Sequence, residues 1–277
     1  MTTEDSSLPE SALADIDYLS RSDNRVVLLD ALADGQATRR TLADETGVSR
    51  TTLDRIVTEF EERGWAERTT DGEYTATAAG RHVIGEFRPM VESVAAVDAL
   101  GGAVEWLPTD NLDVTLSAFS DATVRRPKNA DPAEAVEFVT DLLREASQFQ
   151  TLTHLFPPGL FARAMHEGVL SGDLTVEAVA TTAVVDHIRG SEDRRTRWQD
   201  VLAGDAALYR CDPPIPCNLM VFDTTVLIKR SDTGPIDDAY GVPIVSESEQ
   251  VRDWARNLID EYQTAATQVD SESLDGR

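Results

Sequence analysis

The sequence predicts a small α+β domain over residues 21–88 followed by a larger α/β sheet domain over residues 110–265. Three observations carry that division. Between Thr38 and Gly64, two short amphipathic segments flank Gly47-Val48-Ser49, and two short extended runs come after them. Beyond residue 113 strand-like and helix-like patterns alternate, as an α/β sheet requires. The stretch between, 89–109, is punctuated by Pro89, Gly101-Gly102 and Pro108, and is expected to serve as a linker or dimerisation helix. Residues 1–20 are expected to form a flexible acidic tail, since residues 1–12 show no apolar period. Residues 266–277 are expected to form a second tail.

In the first domain, Ser22-Asp23-Asn24 opens a helix whose packing face is Val26, Val27, Leu29, Leu32 and Ala33, and Gly35 ends it. Arg39 and Arg40 open the next helix, which carries Leu42 and Ala43. Their guanidinium forks suit phosphate oxygens, although solvated surface arginines fit the same positions. After the turn, Leu53, Ile56, Val57 and Phe60 fall at helical spacing. Ser49 is a good N-cap, and Gly47 tolerates the left-handed backbone that a tight interhelical turn needs. Thr51, Arg55 and Thr58 then project away from the apolar stripe, with Thr52 alongside. A short polar front on an apolar back suits a helix seated in a major groove. An ordinary helical hairpin with a solvated face is the alternative for this segment alone.

Residues 64–80 narrow the choice. Gly64-Trp65-Ala66-Glu67-Arg68 is an extended run, Asp71-Gly72 signals a hairpin turn, and Glu73-Tyr74-Thr75-Ala76-Thr77 is a second run. Helices leading into such a hairpin make a winged helix. Glu62-Arg63-Gly64-Trp65, with Tyr74-Thr75-Ala76-Thr77-Ala78-Ala79-Gly80, resembles the end of the recognition helix and the wing of archaeal winged-helix transcriptional regulators, with Ala76 where those carry Leu. The resemblance covers roughly residues 20 to 90 and implies that double-stranded DNA is the partner. On that basis Thr51, Thr52, Arg55 and Thr58 are expected to read bases, while Arg39, Arg40, Ser49, Arg50 and Arg68 hold phosphates. Asp71 and Glu73 argue against deep insertion of the wing, so Arg68 is expected to touch the backbone only.

The net charge of −25 is unusual for a nucleic-acid binder. It is unevenly spread: residues 21–88 hold ten Arg against thirteen acids, while the rest hold fifteen bases against thirty-seven acids. Lys128 and Lys229 are the only lysines. This acid-rich, lysine-poor composition resembles that of proteins from salt-loving archaea. In molar salt the Debye length falls to about 3 Å, so repulsion between an acidic body and DNA is screened. The same salt removes most of the counterion-release gain from phosphate contacts, leaving groove shape, base edges and dimerisation to supply affinity. With no apolar leader or spanning stretch in the sequence, a cytoplasmic protein without membrane contact is expected.

In the second domain, Val114 to Phe119 alternates as a strand, Pro132 opens a helix, and 151–156 and 174–179 are expected strands with a helix from Leu160 to Gly168 between them. Thr182 to Leu202 is helical with a break near Gly190, and Asp205 to Tyr209 is a strand. Asn218 to Phe222 and Val226 to Arg230 form a hairpin around Asp223-Thr-Thr225. Ser246-x-x-Glu249 is a capping box for a final helix bearing Val251, Trp254, Ala255, Leu258, Ile259 and Tyr262. The hairpin and the closing Trp254 helix resemble the C-terminal effector domain of archaeal regulators related to the methanogenesis and filament-formation regulator. That domain is in turn similar to the phospholipase D-like sensory domain of archaeal sugar regulators. Phospholipase D chemistry needs a His two residues before a Lys, but Arg126 precedes Lys128 and Leu227 precedes Lys229. No phosphate-binding Gly-rich loop, zinc-ligand spacing or nucleophile elbow is present either, so no enzyme, catalytic residue or cofactor is expected.

Cys211 and Cys217 are too few for a disulfide scaffold and suit either a redox or metal role or simple burial. For a small anionic effector, Arg125, Arg126, His154, Arg163 and Lys229 are the candidate polar groups. The residues after the wing, Ile84, Phe87, Val91 and Val94, form an apolar seam that suits either a homodimer contact or packing on their own domain. The expected function is that of a dimeric DNA-binding transcriptional regulator, with a small ligand as candidate modulator. A winged-helix adaptor that docks another protein is the alternative, and a phosphodiester-acting enzyme comes third.

Overall fold

The structure is a computed structural model that describes residues 8–108, 114–125, 132–212, 214–231 and 243–275. The chain divides into two compact units, Met1–Val91 and Glu92–Arg277. Arg126, an expected effector contact, lies outside the described residues.

The first unit is helical, closed by a small hairpin. Its helices are α1 (Glu10–Ser20), α2 (Asp23–Asp34), α3 (Arg39–Thr46) and α4 (Arg50–Glu62), followed by strands β1 (Ala66–Arg68) and β2 (Tyr74–Ala76). Helix α5 (Ala78–Leu100) begins in this unit. Thr38 and Ser49 cap α3 and α4, their hydroxyls accepting from the Thr41 and Thr52 amides at 3.1 and 3.4 Å. Gly47 ends α3 at φ +69°, a conformation that a Cβ would strain. On α4 the side chains of Leu53, Ile56, Val57 and Phe60 are fully buried, each contributing about 1.5–3 kcal/mol by removal from water. They meet Leu28, Leu29 and Leu32 of α2 and Leu42 of α3 in one core. β1 and β2 pair antiparallel with Ala66 opposite Ala76, and Ala37 adds a bridge to Tyr74 through two 2.9 Å hydrogen bonds.

The start of the chain departs from the expected tail. From Glu10 it is helical, and Tyr18 and Leu19 of α1 are buried. The Tyr18 ring meets Trp65 edge-on at 5.9 Å and Phe60 at 6.4 Å, while the Arg25 and Arg63 guanidiniums cover it at 3.9 and 4.0 Å. Two buried side chains at one end of a short helix are too few to produce a readable period, yet enough to dock it on α4.

Among the described residues the second unit is an eight-stranded mixed sheet with helices on both faces. Its strands are β3 (Thr123–Val124), β4 (Gln148–Thr153), β5 (Thr175–Thr181), β6 (Ala206–Cys211), β7 (Cys217–Phe222), β8 (Thr225–Arg230), β9 (Ile244–Ser246) and β10 (Thr267–Val269). The order is β10-β6-β5-β4-β7-β8-β9-β3. β4, β5 and β6 run parallel, and every other pairing is antiparallel. Helices α6 (Pro132–Glu145), α7 (Gly159–Ser171), α8 (Thr182–Arg189) and α9 (Glu192–Leu202) cover one face, where Phe149, Val176, Leu208 and Phe222 pack with Leu143, Met165, Ile188 and Trp198. Helix α10 (Glu249–Ala265) covers the other, with Trp254, Ala255 and Ile259 against Leu152, Val179, Leu219 and Ile228. Alternation along β4 and β5 sends neighbouring residues into different cores, which fixes the register.

Further expectations are corrected in and beside this unit. Leu116–Phe119 is a 3-10 turn rather than part of a strand: Ser117, Ala118 and Phe119 are all buried, so the apparent alternation separated no inside from outside. β4 starts at Gln148 and ends at Thr153, short of the expected Phe156. Ser246 belongs to β9 and donates no cap to the last helix. Its hydroxyl instead accepts from the Ser248 amide at 3.2 Å, and α10 begins at Glu249 with Ser248 in the capping position. The expected C-terminal tail supplies β10, which pairs with β6, and the buried Leu274. Pro89, expected to punctuate the chain, sits inside a continuous α5.

Candidate nucleic-acid interface

The face of α4 opposite its buried stripe carries Thr51, Arg55 and Thr58, with Thr52 beside them; Arg55 and Thr58 are exposed. That separation comes from the helical repeat alone. The neighbours of these side chains come from the fold. Arg55 Nη1 pairs with Glu59 Oε1 one turn on at 2.7 Å, and the Thr58 hydroxyl donates back to the Asp54 carbonyl at 2.9 Å. The Ser49 hydroxyl is committed twice, to the Thr52 amide and the Thr52 hydroxyl, the latter at 2.9 Å. Arg50 is exposed at the first residue of α4, the positive end of the helix dipole.

The structure brings two candidate phosphate contacts together and leaves a third apart. Arg39, at the start of α3, reaches Asp54 of α4 at 3.0 Å and lies over the Tyr74 ring at 5.2 Å. Arg68 of β1 lies over the same ring at 5.9 Å and donates to the Gly72 carbonyl at 3.3 Å. The Tyr74 ring is thus shared by an arginine of the helix pair and an arginine of the hairpin. Arg40 instead pairs with Asp44 at 3.8 Å with both side chains mostly exposed, a contact worth about 0–1 kcal/mol.

Asp54 and Glu59 are the charge partners on this helix that the sequence pattern did not single out. Glu59 accepts from Arg55, from the Tyr18 hydroxyl at 2.5 Å, and lies 3.8 Å from Arg25. The Tyr18 hydrogen bond, ahead of the arginines, holds the Glu59 carboxyl below its ordinary range against the opposing effect of burial. The Arg55 to Glu59 spacing of four residues was readable. The Arg39 to Asp54 pair was not, because it joins separate helices.

In the sheet unit the expected effector residues scatter. Arg125 lies over the Phe138 ring at 3.7 Å, Arg163 is exposed on α7, and the His154 amide donates to Asn218 at 2.9 Å. Burial lowers the His154 imidazole. Lys229 alone of these is buried, on β8, and burial brings its ammonium down to about 8. Cys211 and Cys217 are both buried free thiols, and burial pushes Cys217 up to about 12. Among the described residues no group of three or more His, Cys, Asp or Glu side chains is arranged to hold a metal, and no helix is long and apolar enough to cross a membrane.

Comparison with solved structures gives distant similarities. TrmBL2, an archaeal chromatin protein described with a novel mode of DNA binding, is 13% identical with a TM-score of 0.40, over 92% of this chain and 98% of that one. The riboflavin-derivative dimethyltransferase RosA from Streptomyces davawensis is 16% identical with a TM-score of 0.25, over 74% and 68%. T. acidophilum IdeR is 9% identical with a TM-score of 0.23, over 80% and 97%. No curated protein matches the sequence. Two family models do: residues 13–99 match the HVO_A0261 N-terminal domain, and residues 132–265 match the middle domain of the methanogenesis regulatory protein FilR1, which gives the chain a regulator-like pair of domains.

Proposed function

We propose that the chain is a sequence-specific, double-stranded-DNA-binding transcriptional regulator of the archaeal winged-helix type, acting as a cytoplasmic homodimer in a salt-rich interior. The single observation that carries this reading is α4: a capped helix with four fully buried apolar residues behind it and Thr51, Arg55 and Thr58 in front. Thr51, Thr52, Arg55 and Thr58 face base edges, and Arg39, Arg40, Ser49, Arg50 and Arg68 face phosphates. The hairpin of β1 and β2 is the wing, and Arg68, next to its tip, makes a backbone contact. Of the apolar seam after the wing, Ile84 and Phe87 are buried in the first unit's own core, while Val91 and Val94, exposed at 48% and 60%, supply apolar surface for the second copy. The sheet unit, with no His-x-Lys pair at Lys128 or Lys229, is a sensory rather than a catalytic version of a phospholipase D-like domain.

Selection of bound duplexes from a random pool, in molar potassium chloride, tests the reading. Enrichment of a palindromic site bound by the wild type, with Arg55→Ala weakening that site by about 1–3 kcal/mol and random duplex hardly at all, is the expected result. No enrichment at any salt concentration would overturn it.

A second reading is supported by the same face. Asp54 and Glu59 occupy Arg39 and Arg55, which suits a winged-helix adaptor that docks a protein instead of DNA. Absence of promoter peaks in chromatin pull-down at native salt, with co-purification of a single partner, would favour it.

A further inference from the structure

In the sheet unit, the start of α7, the end of α8 and the start of α9 enclose an open cleft of about 300 Å³, the size at which small-molecule sites begin. Pro157, Ala162 and Ile188 make part of its wall apolar, and Trp198, 7% exposed, lies among them. Arg194 and Arg197 line the same cleft. Asp193, which is exposed, is the one acid among the described residues lining it.

The helical repeat sets the two guanidiniums side by side, because residues three apart share a face of α9. Arg194 Nε donates to the His187 carbonyl at 2.8 Å, and Arg195 Nη1 donates to the Arg189 carbonyl at 2.7 Å, so the last turn of α8 is capped by the start of α9. Arg194 keeps both terminal nitrogens of its fork, and Arg197 makes no hydrogen bond or ion pair with the described residues. In a chain with 50 acids, neither has a carboxylate partner among the described residues. Burial, and then the charge of Arg194, hold the His187 imidazole below its ordinary range, so that ring is neutral beside them. The indole N–H of the buried Trp198 likewise has no acceptor among the described residues. Neither Pro158 before α7 nor Ser191 before α9 caps its helix with a side chain, so two helix N-termini border the cleft with their amides unclaimed by a cap.

We propose that this cleft binds the phosphomonoester group of a small metabolite, its phosphoryl oxygens on Arg194 and Arg197 and its body against Ile188 and Trp198. Two guanidiniums set against the Asp193 carboxylate leave one positive charge, and each helix N-terminus adds about half a charge. A phosphomonoester brings about −1.5 to −2 at neutral pH with three acceptor oxygens, and guanidinium forks match that geometry. A carboxylate or a phosphodiester brings a single negative charge. The dianion is thus the group that the cleft neutralises, while Asp193 at the rim suits a hydroxyl of the ligand's body. The proposal deepens the regulator reading by naming the ligand class for its sheet unit. It is tested without DNA, so failure of DNA recognition leaves it standing, and its own failure leaves DNA recognition untouched.

Calorimetric titration of the full chain in molar potassium chloride at neutral pH, with phenyl phosphate, methyl phenyl phosphate and inorganic phosphate, is the test. The wild type is expected to bind phenyl phosphate about tenfold or more tightly than the methyl diester, as the loss of one charge-assisted hydrogen bond implies. Arg197→Gln should bind the monoester about tenfold more weakly and no better than the diester. Arg144→Gln removes an equal charge from α6, outside the cleft, and should bind as the wild type does. Equal binding of the two esters by the wild type, binding of neither, or equal weakening by Arg144→Gln and Arg197→Gln would each overturn the proposal. Inorganic phosphate binding as tightly as phenyl phosphate would overturn the ester and assign the cleft to the free ion. The monoester-to-diester ratio of the wild type decides the matter even where a variant does not fold.

Discussion

Tyr18 of α1 donates its hydroxyl to Glu59 of α4 at 2.5 Å. This contact ties the first helix to the flank of the helix proposed to enter DNA. Burial, and then Glu59 itself, push the Tyr18 hydroxyl well above the usual tyrosine range, so it stays a donor at all ordinary pH. Tyr18→Phe keeps the ring contacts with Phe60 and Trp65 and removes only the hydrogen bond. Urea unfolding of this variant is expected to show a loss of about 1–2 kcal/mol, the range for a hydrogen bond to a partly exposed charge. An unchanged midpoint would mean that Glu59 is held by Arg55 and Arg25 alone.

The carboxylate that pairs with Arg39 sets a second expectation. Asp54→Asn removes a surface ion pair 3.0 Å long, which costs about 0–1 kcal/mol of stability. It also frees a guanidinium and removes a negative charge from the face proposed to meet phosphate. Affinity for random-sequence duplex, measured by fluorescence anisotropy across a salt series, should rise, with a steeper dependence on salt concentration. A fall in affinity would make Asp54 a needed positioning group.

Asp223 offers a prediction in pH. It sits in the turn between β7 and β8 at φ +43° and accepts from the Ser147 and Gln148 amides at 3.0 and 2.8 Å. Burial alone would raise its carboxyl, but the two amides and the Ser147 hydroxyl outweigh that, and the value lies below the ordinary 3.8. A group depressed on folding stabilises above its unfolded value, and that contribution is lost as pH falls through its folded value. Asparagine tolerates the left-handed backbone. The stability gap between wild type and Asp223→Asn should therefore be full near neutral pH and close as pH drops below about 4. A gap independent of pH would show that the turn geometry, not the charge, is what the residue contributes.

Two glycines of α5 should respond in opposite directions. A Cβ on Gly80 would lie 2.0 Å from the Trp65 carbonyl oxygen, a backbone atom with no room to retreat, whereas Gly85 has nothing within 4 Å. Gly80→Ala is expected to destabilise the first unit by about 1–3 kcal/mol or more, as overpacking does. Gly85→Ala should stabilise it by about 0.5–1 kcal/mol through helix propensity. Thermal melts of the two variants side by side check both signs.

Cys211 and Cys217 should be silent in the native protein. Both thiols are buried, and a thiol pushed up to about 12 forms little thiolate near neutral pH. Ellman's reagent should label neither quickly until denaturant is added. Prompt labelling of one thiol per chain would reopen a redox role.

The amino-acid pattern by itself determined the elements whose apolar residues recur with a strong period or whose ends carry a capping residue. Leu53, Ile56, Val57 and Phe60, with Ser49 and Gly47 before them, specify α4 and its outward face, because a helix turns by a fixed angle and a cap satisfies a local amide. The β7 and β8 hairpin is legible for the same local reason. Only the tertiary structure decided what those faces meet. Asp54 reaching Arg39, Tyr18 reaching Glu59 across 41 residues of sequence, and Arg197 sharing a cleft with Gly159 and His187 all depend on which distant elements pack together. Short or weakly periodic pieces such as α1 and β10 are stabilised by that packing rather than by their own propensity, so they leave little trace in the chain and become visible once it is folded.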